Sequence, residues 1–216
     1  VSVTDIYSQA ELDMDRAAVR EVVDNWVLYR DSGDWRRFAS VWHPDGWMSA
    51  TWFQGPAEAF IEASKAGCAS GSQIQHLLGA HTSDVAGDRA IGQTKMQIMQ
   101  RAPLDGITVD VTCTGRFYDF LARRDGRWGL VRRQPIYEQD RMDPVTPGAH
   151  IDLDAGLLAR FPEGYRHLAY LQQKLGYRVA TGLPGRTGPA VEQLYREGLD
   201  WLAGSVFPGE PLSTMD

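Results

Sequence analysis

The sequence predicts an α+β fold: a cone-shaped α+β barrel with three N-terminal helices packed in a curved, mostly antiparallel sheet, plus a C-terminal helical extension. Three observations carry this. Before residue 72 apolar positions recur at helical spacing, as in Val19, Val22, Val23, Trp26 and Val27. After it, long strands are divided by tight turns at Ala86-Gly87-Asp88, residues 103–106 and Arg124-Asp125-Gly126. Pro144, Pro147 and Gly148 then break the pattern, and helical spacing returns.

Taken in order, residues 1–12 are expected as a loose arm and 15–30 as the first helix. Asp34 caps a second helix that buries Trp35, Phe38 and Trp42 and stops at Pro44. His43-Pro44-Asp45-Gly46 is expected to turn, and 47–53 to form a strand with aromatic residues at both ends. Gly55-Pro56 opens a third helix, with Phe60 and Ala63 inward and Gly67 near its end. Strands over 74–85, 89–101, 107–121 and 127–137 make an antiparallel meander, which wraps around the helices and leaves a cone-shaped pocket.

Beyond Met142, Pro162 starts a helix burying Tyr165, Leu168, Ala169 and Leu171 and ending at Gly176. Thr187 is expected to cap a last helix that carries Val191, Leu194, Tyr195, Leu199, Trp201 and Leu202 and closes at Gly204. The chain thus divides into a barrel domain, 13–143, and a helical extension, 144–216. The extension buries little alone, so it should pack on the barrel or on a neighbouring subunit.

Composition narrows the function. The 216 residues are 43% hydrophobic, enough for a core if the whole chain folds. A net charge of −6 with interspersed signs argues against nucleic acid or an anionic membrane as partner. The N-terminal stretch is acidic and lacks an apolar leader core, and no run approaches a membrane span; a soluble cytoplasmic protein is expected. Cys68 and Cys113 have no ligand spacing and read as buried thiols of a reducing compartment. No cofactor, nucleotide or metal is expected, for want of a glycine-rich phosphate loop or a ligand cluster. Ser32 and Ser49 lack a nucleophile elbow. Seven tryptophans and eight tyrosines suit a cavity for an apolar or aromatic small molecule. Its wall should draw on Trp26, Trp47, Trp52, Phe60 and either Phe117 or Tyr118, since strand alternation turns only one of those two inward.

Asp31 lies four residues after Val27, on the extended apolar face of the first helix, where a carboxylate needs a partner. His76 opens the long strand opposite. A carboxylate on one ring nitrogen fixes the tautomer and stabilises the imidazolium when the other takes a proton, and its charge should raise the histidine's pKa. His81 has the opposite strand parity and turns outward unless a bulge at Gly79 intervenes. His43 falls in the turn, His150 in the linker and His167 on a helix surface.

Four pieces in this order carry a resemblance: Tyr29-Arg30-Asp31-Ser32-Gly33-Asp34-Trp35; Gln75-His76-Leu77-Leu78-Gly79-Ala80-His81; the Ala86-Gly87-Asp88-Arg89-Ala90 hairpin; and Gly115-Arg116-Phe117-Tyr118-Asp119 leading to Arg124-Asp125-Gly126-Arg127-Trp128. Over residues 13–137 the chain resembles the nuclear-transport-factor-2-like superfamily, in particular its SnoaL-like branch with scytalone dehydratase and hexachlorocyclohexane dehydrochlorinase. The resemblance implies that Asp31 and His76 form the catalytic dyad of those lyases. Several of them carry a tyrosine five residues before the aspartate, where this chain has Trp26, so Tyr29 or Tyr118 would supply a phenol. It also implies an arginine from the last strand, Arg132 or Arg133, with Arg132 favoured because it shares the side of Leu130. The implied activity is a cofactor-independent lyase that loses water, halide or a small carbon fragment such as formaldehyde. An isomerase, a cyclase or a non-catalytic ligand-binding protein are the alternatives. Relatives of this kind form homo-oligomers, dimers or trimers.

Overall fold

The computed structural model describes residues 9–71 and 73–205. Helix α1 (Gln9–Asp31) buries Val19, Val23, Trp26 and Val27 on one face. It begins earlier than expected, because 9–12 continue the helix; residues 1–8 of the expected arm lie outside the described residues. Gly33 takes φ +73° in the turn to α2 (Trp35–Ser40), a backbone conformation glycine adopts without strain. Asp34 caps α2 by accepting from Arg37 N–H at 3.1 Å.

The strands are β1 (Trp42–Ser49), β2 (Gln54–Pro56), β3 (Gln73–Ala86), β4 (Arg89–Leu104), β5 (Ile107–Arg124) and β6 (Arg127–Pro144), with α3 (Ala57–Ala69) between β2 and β3. They form one curled, unclosed sheet in the order β2-β1-β6-β5-β4-β3. Neighbours are antiparallel except β1 with β6.

Three expectations fail at β1. His43-Pro44-Asp45-Gly46 does not reverse the chain. Between Trp42, paired with Leu130, and Trp47, paired with Arg132, β1 advances five residues while β6 advances two, so the turn-forming residues bulge out of a continuing strand. His43 is buried there, with Nε2 2.9 Å from Ala122 O. For the same reason α2 stops at Ser40, and the expected strand over 47–53 ends at Ser49. A tight connection follows, with Ala50 N–H donating to Phe53 O at 2.7 Å.

One face of the sheet holds Met96, Cys113, Phe117, Leu121, Leu130 and Tyr137 against Trp26, Phe38 and Phe60. The other holds Ile91, Tyr118, Phe120, Val131 and Ile136. Two bulges in β6 reset which residues face which way. Thr114 pairs with Gln139 and Gly115 with Tyr137, leaving Glu138 unopposed; Leu121 pairs with Leu130 and Phe120 with Arg132, leaving Val131 unopposed. At the first bulge the strands close so tightly that a Cβ on Gly115 would lie 2.0 Å from Ile136 O. Gly115→Ala is therefore expected to lower unfolding free energy by about 1–3 kcal/mol, read as a lower urea midpoint at unchanged slope.

The segment after Pro144 contains α4 (Ala155–Leu158), a single 3-10 turn (Glu163–Tyr165), α5 (Arg166–Lys174) and α6 (Pro189–Leu202). Leu168, Ala169, Tyr170 and Leu171 of α5 join the inner core. Asp140 on β6 accepts from the first N–H groups of α5, His167 at 2.7 Å and Leu168 at 2.8 Å, and from His167 Nδ1 at 2.8 Å. His167 is thus tied to the sheet rather than free on a helix surface.

Helix α6 covers the outer face with Val191, Leu194 and Trp201. Its start is set by Pro189 after Gly188 at φ +107°, without the Thr187 cap the sequence leads one to expect. No helix among the described residues is long and apolar enough to cross a membrane.

Candidate active site at the end of the first helix

Asp31 is the last residue of α1, and His76 is near the start of β3. The Asp31 carboxylate takes hold of His76 twice: Oδ2 accepts the backbone N–H at 2.6 Å and Oδ1 lies 2.9 Å from Nδ1. A carboxylate only accepts, so the ring proton belongs on Nδ1 and the lone pair on Nε2. Nε2 has no hydrogen-bond partner among the described residues. The two side chains keep 6% and 18% of their exposure, for His76 and Asp31 respectively.

Burial pushes the Asp31 carboxyl up, but the hydrogen bonds and charge of His76, with Arg30, outweigh it and hold the group below its ordinary value. For His76 burial dominates in the other direction. The Asp31 hydrogen bond raises the imidazole, yet desolvation, helped by Arg30 and Arg133, leaves it below its ordinary value. The expected upward shift is therefore reversed: a ring this enclosed loses more by desolvation than one carboxylate returns.

The imidazole meets Trp26 edge-on at 5.3 Å between ring centres and Phe117 at 6.1 Å. Across the same two rings lies Arg133, its guanidinium 4.3 Å from the Trp26 centre and 4.0 Å from that of Phe117. Arg133 is fully buried. Nε and Nη2 donate to Asp119 at 2.7 Å each, and Nη1 has no acceptor among the described residues.

The favoured Arg132 is on the outer face instead, 2.7 Å from Glu197 of α6 and over the ring of Phe120. The unopposed Val131 is the cause, since a bulge between Leu130 and Arg132 breaks the parity that linked them. A similar step brings His81 inward. From Leu78 opposite Met96 to His81 opposite Thr94, β3 advances three residues against two, so the conditional bulge at Gly79 is present. His81 Nδ1 lies 2.7 Å from Thr94 Oγ1, and its Nε2 is buried without a partner among the described residues.

Beside the dyad opens a cleft of about 240 Å³. Arg30 and Asp31 of α1, Ser64 and Cys68 of α3, Gln100 of β4 and Gln172 of α5 line it, with Trp35, Trp52 and Tyr177 as its aromatic side. The backbone neighbours Ile74 and Gln75 reach it; the His76 ring is set back against Trp26 and Phe117. Of the expected wall, Trp52 lines the cleft. Phe60 packs behind it at 5.6 Å and stacks in turn with Trp26 at 6.2 Å. Phe117 faces inward.

Besides Arg132, three expected residues do not come to the site. Trp47 pairs in register with Arg132 and so shares the outer face. Tyr118 lies under α6 against Tyr195, its hydroxyl pushed well up by burial. Tyr29 lies beside Arg37, whose guanidinium is 5.7 Å from its ring centre, in a separate surface groove with Val22 and Trp128. Cys68, expected to be buried, is exposed, whereas Cys113 is buried.

Sequence reasoning missed Arg30, Ser64, Gln100, Gln172 and the Arg133–Asp119 pair. For Arg30 a signal existed: it follows Trp26 by four residues, which puts both on one helix face, and its guanidinium lies 5.9 Å from the Trp26 ring centre. Gln172 offered none, because nothing local says which sheet face α5 covers. Among the described residues no three His, Cys, Asp or Glu side chains gather where they would hold a metal.

Residues 14–134 match the model of the SnoaL-like domain family. Over 209 residues the chain is 36% identical to an uncharacterized protein of Emericella nidulans, covering 89% of this chain and 88% of the relative. Over 207 residues it is 35% identical to pea pathogenicity protein 2 of Fusarium vanettenii, covering 93% and 89%. Among solved structures, a type 2 hexachlorocyclohexane dehydrochlorinase superposes with a TM-score of 0.53 at 15% identity, covering 68% of this chain and 99% of that one.

Proposed function

This chain belongs to the SnoaL-like domain family, and from that premise we propose that it is a cofactor-independent lyase acting on a small aromatic or cyclic substrate. His76 Nε2 takes a proton from substrate carbon and a neighbouring group leaves as water or halide. Where formaldehyde is lost instead, the proton comes from the hydroxyl of the departing CH2OH group, the C–C bond breaks, and the carbon left behind takes the proton back from His76. One observation carries the proposal: the double hold of Asp31 on His76, which fixes the ring and leaves Nε2 as a free base. As the proton arrives, the imidazolium forms against the Asp31 carboxylate that stabilises it. Arg133, fully buried on Asp119 and packed on Trp26 and Phe117, does not line the cleft; its role here is to hold the two rings that the imidazole packs against. For water loss the balance closes at His76, because the proton taken from carbon joins the departing hydroxide. A dehydrochlorinase of like fold shows the scaffold shared with an eliminating enzyme.

The test is deuterium wash-in. Cyclic ketones with an acidic C–H, beginning with 1-tetralone and 2-tetralone, are incubated with protein in D2O and followed by proton NMR. Exchange catalysed by wild type and lost in His76→Gln is expected; no catalysed exchange in any ketone overturns the proposal.

The pH profile follows from the same geometry. The base acts as neutral imidazole, and burial holds its pKa below the ordinary value of about 6.5. Activity should be flat through neutrality and fall as pH drops through that lowered pKa. The kcat/KM profile checks this, and an acid limb beginning above about 7 would contradict it.

A further inference from the structure

One wall of the cleft comes from beyond the family domain. The SnoaL-like match ends at residue 134, whereas Gln172 and Tyr177 line the cleft together with Arg30 and Asp31. A run of bonds from the sheet holds them there.

It starts at Asp140 on β6, whose side chain has 0% exposure. Tyr165, at the N-cap position of α5, offers no side-chain cap. Asp140 does that work from outside the helix: its carboxylate accepts the N–H groups of His167 and Leu168 and the His167 ring at Nδ1. The turn before α5 is pressed on the same strand, since a Cβ on Gly164 would lie 2.5 Å from Tyr137 O.

The start of α5 is thereby fixed, and about one and a half turns after His167 comes Gln172, 3% exposed. Its Oε1 accepts from Thr51 Oγ1 at 2.6 Å, and its Nε2 donates to Gln100 Oε1 at 3.2 Å. Gln172 O accepts the Tyr177 N–H at 2.9 Å, and Thr51 O accepts the Ala180 N–H at 2.8 Å. Those two bonds set Tyr177 against Trp52 on the cleft, 5.6 Å between ring centres.

We propose that Asp140 and Gln172 are positioning residues for the reaction at the dyad. Asp140 sets where α5 begins, Gln172 ties its far end to the barrel, and α5 with Tyr177 becomes a fixed wall of the cleft. The dyad itself is built from α1 and β3 and has no bond to either residue among the described ones. Loss of the wall therefore weakens the hold on substrate and spares the proton transfer. The inference rests on the reading that the cleft holds the dyad's substrate, and it adds residues outside the matched family domain to that site.

The test compares full-length wild type with Asp140→Ala, Asp140→Asn, Gln172→Leu and Leu194→Ala, well below their unfolding temperatures. Leu194, 2% exposed under α6 on the outer face, controls for a core loss that spares this wall. Amide hydrogen exchange read by mass spectrometry reports on the wall without catalysis. Asp140→Ala is expected to speed exchange over residues 166–181 about tenfold or more, with 89–104 unchanged. Asp140→Asn should restore most of that protection, because asparagine caps a helix about as well as aspartate. Gln172→Leu should speed exchange over 176–183 and 50–54 and leave 166–171 as in wild type. In deuterium wash-in of a cyclic ketone, Asp140→Ala and Gln172→Leu should raise KM about three- to tenfold with kcat within about twofold. Leu194→Ala should change neither constant.

Wild-type protection over 166–181 in Asp140→Ala, equal loosening there in Leu194→Ala, or no better protection in Asp140→Asn than in Asp140→Ala would overturn the inference. So would an unchanged KM in both wall variants, or a fall in kcat as large as the rise in KM. A wild type that exchanges no ketone defeats the lyase reading instead, and the wall then stands or falls on the amide pattern.

Discussion

His76→Ala is expected to lower turnover by about a hundredfold to ten-thousandfold, the range for removal of a general base. The protein should still fold, because Asp31 keeps its bond to the backbone N–H of residue 76 and so still ties α1 to β3 without the ring. Asp31→Asn should also reduce turnover, for a different reason: the amide oxygen can still accept a hydrogen bond, but a neutral group cannot stabilise imidazolium. Purified His76→Ala with an unchanged circular dichroism spectrum and near-wild-type turnover would remove His76 from the mechanism. A chelator should leave the wild-type rate intact.

The largest loss of stability should come from Asp119→Leu. Arg133 and Asp119 both have 0% side-chain exposure, and each is the other's ionic partner. Removing the carboxylate strands a guanidinium between Trp26 and Phe117, at a cost of about 3–5 kcal/mol. Urea denaturation measures it. Replacing both partners, Asp119→Leu with Arg133→Met, should restore much of the lost stability, since the buried charge goes with its partner. A single-variant loss below about 1 kcal/mol would mean that the pair is hydrated in solution.

How far the chain could be read without coordinates depended on whether the signal was local. The Val19, Val23, Trp26 and Val27 stripe places Asp31 by simple helical geometry, but the resemblance to the lyases was what singled out His76 as its partner, and the two meet in two hydrogen bonds. Alternation said that only one of Phe117 and Tyr118 faces in and left open which; the packing puts Phe117 inside and Tyr118 under α6. Arg132 and Arg133 were not separable, because the answer turns on one unopposed residue, Val131, and a bulge leaves no mark that alternation can detect. His43-Pro44-Asp45-Gly46 misled in the opposite sense. Its turn chemistry is real, but pairing of Trp42 and Trp47 with β6 on either side absorbs it. The cleft was least legible, since Gln100, Gln172 and Ser64 come from separate elements and meet only when α5 and α3 pack over the sheet.

The bond from Asp31 to the His76 backbone has a consequence outside chemistry. In the strand order β3 lies at the end of the sheet, where an open row of N–H and C=O groups invites pairing with another chain. Helix α1 blunts that edge with side chains: Asp31 occupies the N–H of His76, and Arg20 donates to Gly79 O at 3.2 Å. The proposed catalytic carboxylate therefore doubles as a guard against strand addition. An Asp31 variant would expose part of a β-edge as well as lose its base-orienting group, so such a protein should self-associate more readily as its concentration rises.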